Sequence, residues 1–407
     1  MRRFEELDAL RGLMLVWITV THLPTTLSVY VNQPFGFVSA AEGFIFLSAL
    51  FTGRIYFRLA LSNGYRAMQQ KLRRRTLRLY LYHILLLSFA FLAAVPIAAR
   101  GTRPGLHNLL DFYFDAGPKR AVIDGALLLY RPPLLDILPM YIIFLVLTPL
   151  ALKLGEKWGW RFTLSGGFTL WLFAQMGLRQ ALWQFMNHRF GLSIPLHEMG
   201  AFDLWAWQWL WLVGLWMGVR WAKDQLPLTR VVSQLTIPAL IVVFVLLRMR
   251  YAIGGGLELG SYEPYFDKWH LGVVRLIDFS AVGILLIRLR FYLKPLAIRP
   301  LVLLGQSSLK VFCTHLFFCF AGLTLLGNAS MLSGGKQFAL LATTLLAMWS
   351  TARLFAKTEL TAEVTNTSRV TEGTQKSSRP VWEEIPSRSV PVRKKARDAA
   401  VIQEVAQ

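Results

Sequence analysis

Apolar blocks of about 20 residues recur along most of the chain, and this spacing limits the possible folds more than any other feature. A helix of that length crosses the hydrocarbon core of a bilayer. Only 16% of the 407 residues are charged, against about 25% in a soluble protein. We therefore expect an all-α polytopic membrane protein, a bundle of about ten transmembrane helices. The predicted spans are 9–31, 36–57, 77–99, 134–153, 162–182, 203–221, 231–252, 271–289, 300–326 and 337–356.

The net charge of +21 would suggest a nucleic-acid partner in a soluble protein. Here the basic residues lie mainly in short loops between apolar blocks. With the N-terminus inside, the inner loops hold more Lys and Arg than the outer loops, although the outer loops are longer in total. The positive-inside rule then places both termini in the cytoplasm, and we expect no nucleic-acid partner.

The composition changes near Lys357 from apolar to rich in Thr, Ser, Glu, Arg and Pro. Such a composition cannot bury enough apolar surface to fold. We predict a transmembrane domain over residues 1–357 and a disordered cytoplasmic tail over 358–407.

The first predicted helix carries Arg11 and His22, separated by ten residues. Eleven steps of about 100° return almost to the same face, and they separate the two residues by about 16 Å along the axis. Charged and titratable groups are costly in lipid, so this stripe marks a functional path by default.

Depth within the predicted spans sorts the polar residues into two layers. Four titratable groups are predicted to lie in the outer half of the membrane: His22, Glu42, Asp136 and His315. The arginines at or near the inner face are Arg11, Arg54, Arg73, Arg74 and Arg75, and Lys310 lies between the layers. A neutral histidine beside a carboxylate is suited to abstracting a hydroxyl proton, so we expect Glu42 to orient His22.

Each of these features also has a structural explanation. His315 can make a simple hydrogen bond between helices. The basic stretch 64–80 predicts a helix on the cytoplasmic surface, which binds either anionic lipid or a polyanionic ligand. Asp136 either caps its helix or contacts a polar substrate. The tryptophans around Trp207 form an interfacial belt or a sugar-stacking platform.

Two further residue pairs have mainly structural interpretations. Arg275 and Asp278 lie three apart on one face, which predicts an ion pair within the eighth span. Cys313 and Cys319 supply neither a disulfide framework nor a zinc site, and no metal is expected.

Several motifs resemble one known family. The segment LDALRGLMLVWITVTHL resembles the first helix of the acyltransferase 3 superfamily, whose hallmark is an Arg and a His separated by ten residues. More closely, AEGFIFLSALFTGRIY, YRPPLLDILPMYIIFLVLTPLAL, WAWQWLWLVGLWMG, KWHLGVVRLIDFSAVG and LGQSSLKVFCTHLF resemble segments of the OpgC family. The resemblance covers roughly residues 4–325, with Ala49 where a Gly is usual.

The resemblance implies an inner-membrane O-acyltransferase with no bound cofactor. It would take an acyl group, succinyl first among the candidates, from cytoplasmic acyl-CoA to a periplasmic glucan or related glycan. His22 would be the catalytic residue, and Arg11 matches the family's arginine. Other expected partners are the lipid bilayer and glucan-biosynthesis proteins.

These considerations give each candidate residue a role. His22 acts as a general base or a transient acyl carrier, with Glu42 as its partner. The donor-binding residues are Arg11, Arg54, Arg73, Arg74, Arg75 and Lys310. The acceptor-pocket residues are Asp136, Tyr141, Trp207, Ser308 and His315. The alternatives are a secondary transporter or flippase for an acyl donor or glycan precursor, and a silent partner of a glucan synthase; paired, Gly/Pro-broken helices typical of transporters are not found.

Overall fold

The computed structural model describes residues 5–100, 104–225, 228–327 and 332–373, and within these ranges the chain is helical, without named strands. The α-helices are α1 Glu5–His22, α2 Leu27–Val31, α3 Ala40–Phe89, α4 Val95–Ala98, α5 Pro104–Asn108, α6 Asp111–Asp115, α7 Pro118–Ala126, α8 Ile137–Lys157, α9 Trp160–Gln175, α10 Leu178–Phe190, α11 Leu204–Ala222, α12 Leu228–Gly254, α13 Glu263–Phe266, α14 Val273–Arg288, α15 Arg299–Gln306, α16 Ser308–Leu325 and α17 Gly334–Gly373.

Five helical stretches in the described residues are long and apolar enough to cross a membrane. They are Ala40–Ala98, Ile137–Lys157, Val232–Gly254, Ser308–Leu325 and Gly334–Phe355. The helical membrane architecture is therefore confirmed, whereas the count of ten spans is not. The first stretch is 59 residues long, far more than the roughly 20 that one crossing needs.

The helix α3 breaks at Gly64, where φ is 84° and ψ is 163°. Only glycine adopts this backbone conformation readily. After the break the chain folds back, and the Arg75 guanidinium contacts the Thr52 hydroxyl of the first half at 3.2 Å. The basic stretch 64–80 is thus not a separate surface helix, because Met68, Leu72 and Leu79 are buried in the bundle.

Small residues bring α11 close to the first half of α3. A methyl group at Gly53 would lie 2.4 Å from the Leu215 carbonyl oxygen, and one at Gly214 would lie 2.7 Å from the Ala49 side chain. Small residues at such a crossing let two helix backbones approach closely. Ala49 is fully buried here, and Gly214 opposite it leaves room for its methyl group.

The pairing of α1 with α15 is equally close. A methyl group at Gly12 would lie 2.0 Å from the Leu301 carbonyl oxygen, and one at Gly305 would lie 1.8 Å from the Asp8 carbonyl oxygen. The predicted span 300–326 is divided between α15 and α16 at Ser307. This division lets α15 pack on the first half of α1, while α16 contacts α1 at Arg11 and again at His22.

The last helix continues to Gly373, beyond the boundary at 357 predicted for the membrane domain. Residues 358–373 are assigned to this helix, and the disordered cytoplasmic tail stays a prediction. The rest of the predicted tail, 374–407, lies outside the described residues.

Candidate active site

Two histidines meet where the C-terminal end of α1 reaches α16. His22 Nδ1 lies 3.4 Å from His315 Nε2, and the rings stack with centroids 5.7 Å apart. His315 is fully buried, whereas His22 remains partly exposed. The Phe312 ring contacts the His315 ring edge-on, with centroids 4.7 Å apart. The pair is therefore held between helices but keeps one accessible imidazole.

The pairing has consequences for the protonation of His22. In a neutral imidazole one nitrogen donates and the other accepts, and the partner of one nitrogen decides the tautomer. If His22 Nδ1–H donates to His315 Nε2, the His22 Nε2 atom keeps its lone pair. His22 can then accept a proton from a substrate hydroxyl. In that tautomer His315 has the geometry of an orienting partner for His22, and its place in the wall of an acceptor pocket stays a prediction.

Glu42 does not orient His22, and this expectation is wrong. Its Oε1 atom accepts hydrogen bonds from Arg275 Nε at 2.9 Å and from a second nitrogen of the same guanidinium. Its Oε2 atom accepts from the Ser39 N–H at 3.1 Å and the Ser39 hydroxyl at 2.5 Å, forming a capping box at the start of α3. A fully buried guanidinium needs an anion, and Glu42 supplies it to Arg275.

The predicted Arg275–Asp278 ion pair within α14 does not form either. Asp278 accepts the Phe37 N–H at 2.6 Å and so ties α14 to the segment before α3. Arg275 and Asp278 of α14 therefore both hold the entry to α3 in place.

Lys268 is a half-buried cation that the sequence did not single out. It lies in the turn between α13 and α14, over the ring of Trp269. Burial lowers the pKa of Lys268, while Glu42 and Asp136 favour its charged form. The polar run Asp267–Lys268–Trp269–His270 marks a loop in the sequence, but nothing in its spacing indicates that the loop packs against α9 and α11.

The N-terminal half of α1 faces an internal cavity instead. The Arg11 guanidinium donates to the Ser308 hydroxyl and lies 5.0 Å from the centroid of the Phe51 ring. An Arg75 Nη atom donates to the Tyr141 hydroxyl at 2.6 Å. The cavity is small, about 20 Å³, and is lined by Arg11, Phe44, Ile45, Arg75, Ile137, Leu138, Tyr141, Ser308, Leu309 and Phe312.

This cavity brings together residues that were predicted in different layers. Ser308 and Tyr141 were expected in the acceptor pocket, but both contact the arginines. Tyr141 is the fifth residue of α8, and Arg75 reaches it only because α3 folds back at Gly64. The cavity and the histidine pair are adjacent, because Phe312 lines the first and contacts the second.

The other predicted donor-binding residues are dispersed. Arg54 stacks on the Trp221 ring at 3.6 Å from its centroid, and Lys310 lies 4.0 Å from the centroid of Phe355. Arg73 and Arg74 are exposed. Arg73 lines an open groove of about 450 Å³ between α3 and α8. The polar lining residues of this groove are Arg66, Gln69, Gln70, Arg73 and Thr76.

The remaining acceptor candidates have structural contacts. Asp136 accepts the Ala201 N–H at 3.2 Å and precedes α8 without making a side-chain cap. Trp207 is fully buried, and its indole N–H donates to the Trp269 carbonyl at 3.1 Å. Trp207 therefore cannot serve as an open stacking platform.

A family model described as OpgC protein matches residues 2–359. The chain belongs to the OpgC family. The match includes every helix that contributes to the histidine pair and to the cavity. Comparison with curated proteins and with solved structures gives no match. The OpgC assignment thus rests on the family model, and the roles of individual residues rest on the geometry described above.

Proposed function

We propose that the chain is an inner-membrane O-acyltransferase that moves an acyl group, succinyl in the first instance, from cytoplasmic acyl-CoA to hydroxyl groups of a periplasmic glucan. Membership of the OpgC family supports this reaction class. The observation that carries the proposal is the His22–His315 pair, since it offers an accessible imidazole with an orienting partner next to a cationic cavity.

In this proposal His22 Nε2 removes the proton from a glucan hydroxyl. The hydroxyl oxygen attacks the thioester carbonyl carbon, the new C–O ester bond forms, and the C–S bond breaks. The proton on His22 then passes to the leaving CoA thiolate, so that free CoA is released and the imidazole is neutral again. Proton transfer by a positioned base is typically worth about 10²–10⁴ in rate.

Two different regions of the helix bundle suit the two substrates of such a reaction. CoA carries several negative charges, and the exposed Arg73 and Arg74 with the neighbouring groove offer basic and amide groups for them. A glucan hydroxyl needs an accessible base, which His22 provides. With the N-terminus in the cytoplasm, the arginines face the donor and the histidines face the acceptor.

The proposal is tested with purified protein, labelled succinyl-CoA and periplasmic glucan. We expect CoA release and labelled ester only when glucan is present. The His22→Ala variant should insert normally and lose transfer, and His188→Ala, which changes an exposed histidine on α10, is the control. Uptake of label into vesicles without CoA release would favour a transporter, and normal transfer by His22→Ala would exclude the mechanism.

A further inference from the structure

The open groove of about 450 Å³ lies between α8 and the part of α3 that follows Gly64. Two hydrogen bonds join these helices near the two ends of the groove. The Tyr65 hydroxyl donates to the Pro149 carbonyl at 2.7 Å, and Arg75 donates to the Tyr141 hydroxyl at 2.6 Å. The spacing of the two helices along the groove is therefore fixed by contacts outside its walls.

The two sides of the groove differ in polarity. The side formed by α3 carries two exposed arginines, Arg66 and Arg73, and two glutamine side chains. The side formed by α8 is apolar, and its lining residues are Leu145, Val146 and Pro149. Neither arginine forms an ion pair with a carboxylate in the described part of the chain. The groove thus presents two positive charges beside an apolar wall.

The apolar surface continues beyond the groove. Steps of three and four residues place Arg66, Gln70, Arg73 and Leu77 on one face of α3. The Leu77 side chain is 56% exposed, and Val146 on α8 is 59% exposed. Exposed side chains of this kind contact lipid chains, which are as apolar as leucine. A hydrocarbon chain that starts near Arg73 and follows the helix therefore meets a surface suited to it.

The position of the groove in the proposed topology indicates which membrane leaflet it faces. With the N-terminus in the cytoplasm, the turn at Gly64 lies at the cytoplasmic side, and Arg66 and Arg73 follow it. The cytoplasmic leaflet carries anionic lipid, and basic pockets between helices on that side bind anionic head groups. Guanidinium groups match the geometry of a phosphate.

We infer that this groove binds one phospholipid with an anionic head group from the cytoplasmic leaflet. Arg66 and Arg73 bind the head group, and an acyl chain lies against Leu77 and Val146. The site goes beyond the proposed reaction and does not depend on it. CoA shares the phosphate chemistry, but it has no long hydrocarbon chain to cover the exposed leucine and valine. Lipid and donor compete at Arg73, and the experiment separates the two sources.

The test measures binding of phosphatidylglycerol and of phosphatidylcholine with identical acyl chains to the purified full-length protein in detergent, without donor or glucan. We expect phosphatidylglycerol to bind about tenfold more tightly. Arg66→Gln and Arg73→Gln should each weaken its binding about fivefold and leave phosphatidylcholine binding unchanged. Lys71→Gln is the matched control, because Lys71 is exposed on the same helix but lies about 160° around it from Arg73. It should bind phosphatidylglycerol as the wild type does.

Equal binding of the two lipids by the wild type would overturn the inference, since it would describe general lipid contact. Equal losses in Arg73→Gln and Lys71→Gln would overturn it for the same reason. CoA binding that depends on Arg66 and Arg73, without any preference for phosphatidylglycerol, would also overturn it and leave the groove to the donor. A protein that prefers phosphatidylglycerol through these arginines but transfers no acyl group would support the inference and contradict only the proposed function.

Discussion

His22 and His315 are 293 residues apart in the chain, yet Nδ1 of the first and Nε2 of the second lie 3.4 Å apart. On the same two helices Arg11 contacts Ser308. The earlier of the two α1 residues contacts the earlier of the two α16 residues, and the later one contacts the later one. The two helices therefore run in the same direction. One helix pair thus carries a cation at one end and an imidazole pair at the other.

The first prediction concerns His315 as the orienting partner of His22. We expect His315→Ala to lower kcat for acyl transfer by roughly tenfold or more, less than the loss of the base itself, which is worth about 10²–10⁴. His315→Gln retains a side-chain oxygen that can accept the His22 Nδ1–H, so it should recover part of the loss. Steady-state kinetics at saturating donor measure both, and equal activity of the wild type and His315→Ala would contradict the role.

The second prediction concerns the Glu42–Arg275 ion pair, which is fully buried. Glu42→Gln should lower the free energy of unfolding by about 3–5 kcal/mol, because it leaves an uncompensated buried charge. The double variant Glu42→Gln/Arg275→Met should be more stable than Glu42→Gln, since it removes that charge. Unfolding in detergent measures the change. A Glu42→Gln protein that is as stable as the wild type but inactive would contradict this prediction and show that Glu42 acts in catalysis.

The third prediction concerns the close approach of α1 and α15. Gly12→Ala should cost about 1–3 kcal/mol, the usual effect of overpacking, because its methyl group would lie 2.0 Å from a backbone oxygen of α15 that cannot rotate away. Gly166→Ala on α9 is the control, with nothing within 4 Å of the added methyl group. The same stability for both variants would show that α1 and α15 can separate freely.

The fourth prediction concerns pH and the loop that carries Lys268. Its neighbour His270 hydrogen-bonds Asp267, and this bond is the main cause that raises the pKa of His270 above 6.5; Asp203 acts in the same direction, and burial and Arg179 act against it. A group whose pKa is raised on folding stabilises the fold fully below its unfolded pKa, and this contribution disappears as the pH rises through the folded value.

The loop should therefore lose protection as the pH rises through that folded value. Amide hydrogen exchange of residues 267–270, corrected for intrinsic rates, measures this. The His270→Gln variant should remove the pH dependence, because its amide does not titrate in this range. Protection that is independent of pH in the wild type would show that the His270–Asp267 contact does not hold the loop.

The helices and the Arg11–His22 stripe could be predicted from the sequence because both depend on local spacing. Apolar blocks of about 20 residues define helices whatever their neighbours are. In the same way, eleven helical steps bring Arg11 and His22 to one face, and in the structure both contact α16.

The partners could not be predicted, because they depend on how distant segments pack. Glu42 and His22 were expected together since both lie at a similar predicted depth, but depth does not specify which helices are neighbours. The nearest buried cation to Glu42 comes from α14, more than two hundred residues later in the chain. Arg75 likewise reaches Tyr141 only because of the fold-back at Gly64, whose direction a single glycine does not encode.

The short distance along α16 between Ser308 and His315 limits how this chain can vary in length. Each helical residue adds about 100° of rotation, so inserting or deleting one residue between the two would turn His315 away from His22 while Ser308 stayed on Arg11. Loops elsewhere can lengthen without such an effect. The seven-residue step from Ser308 to His315 therefore sets the register between the two ends of the site. The number of residues in this step is as constrained as the identities of the two residues that bound it.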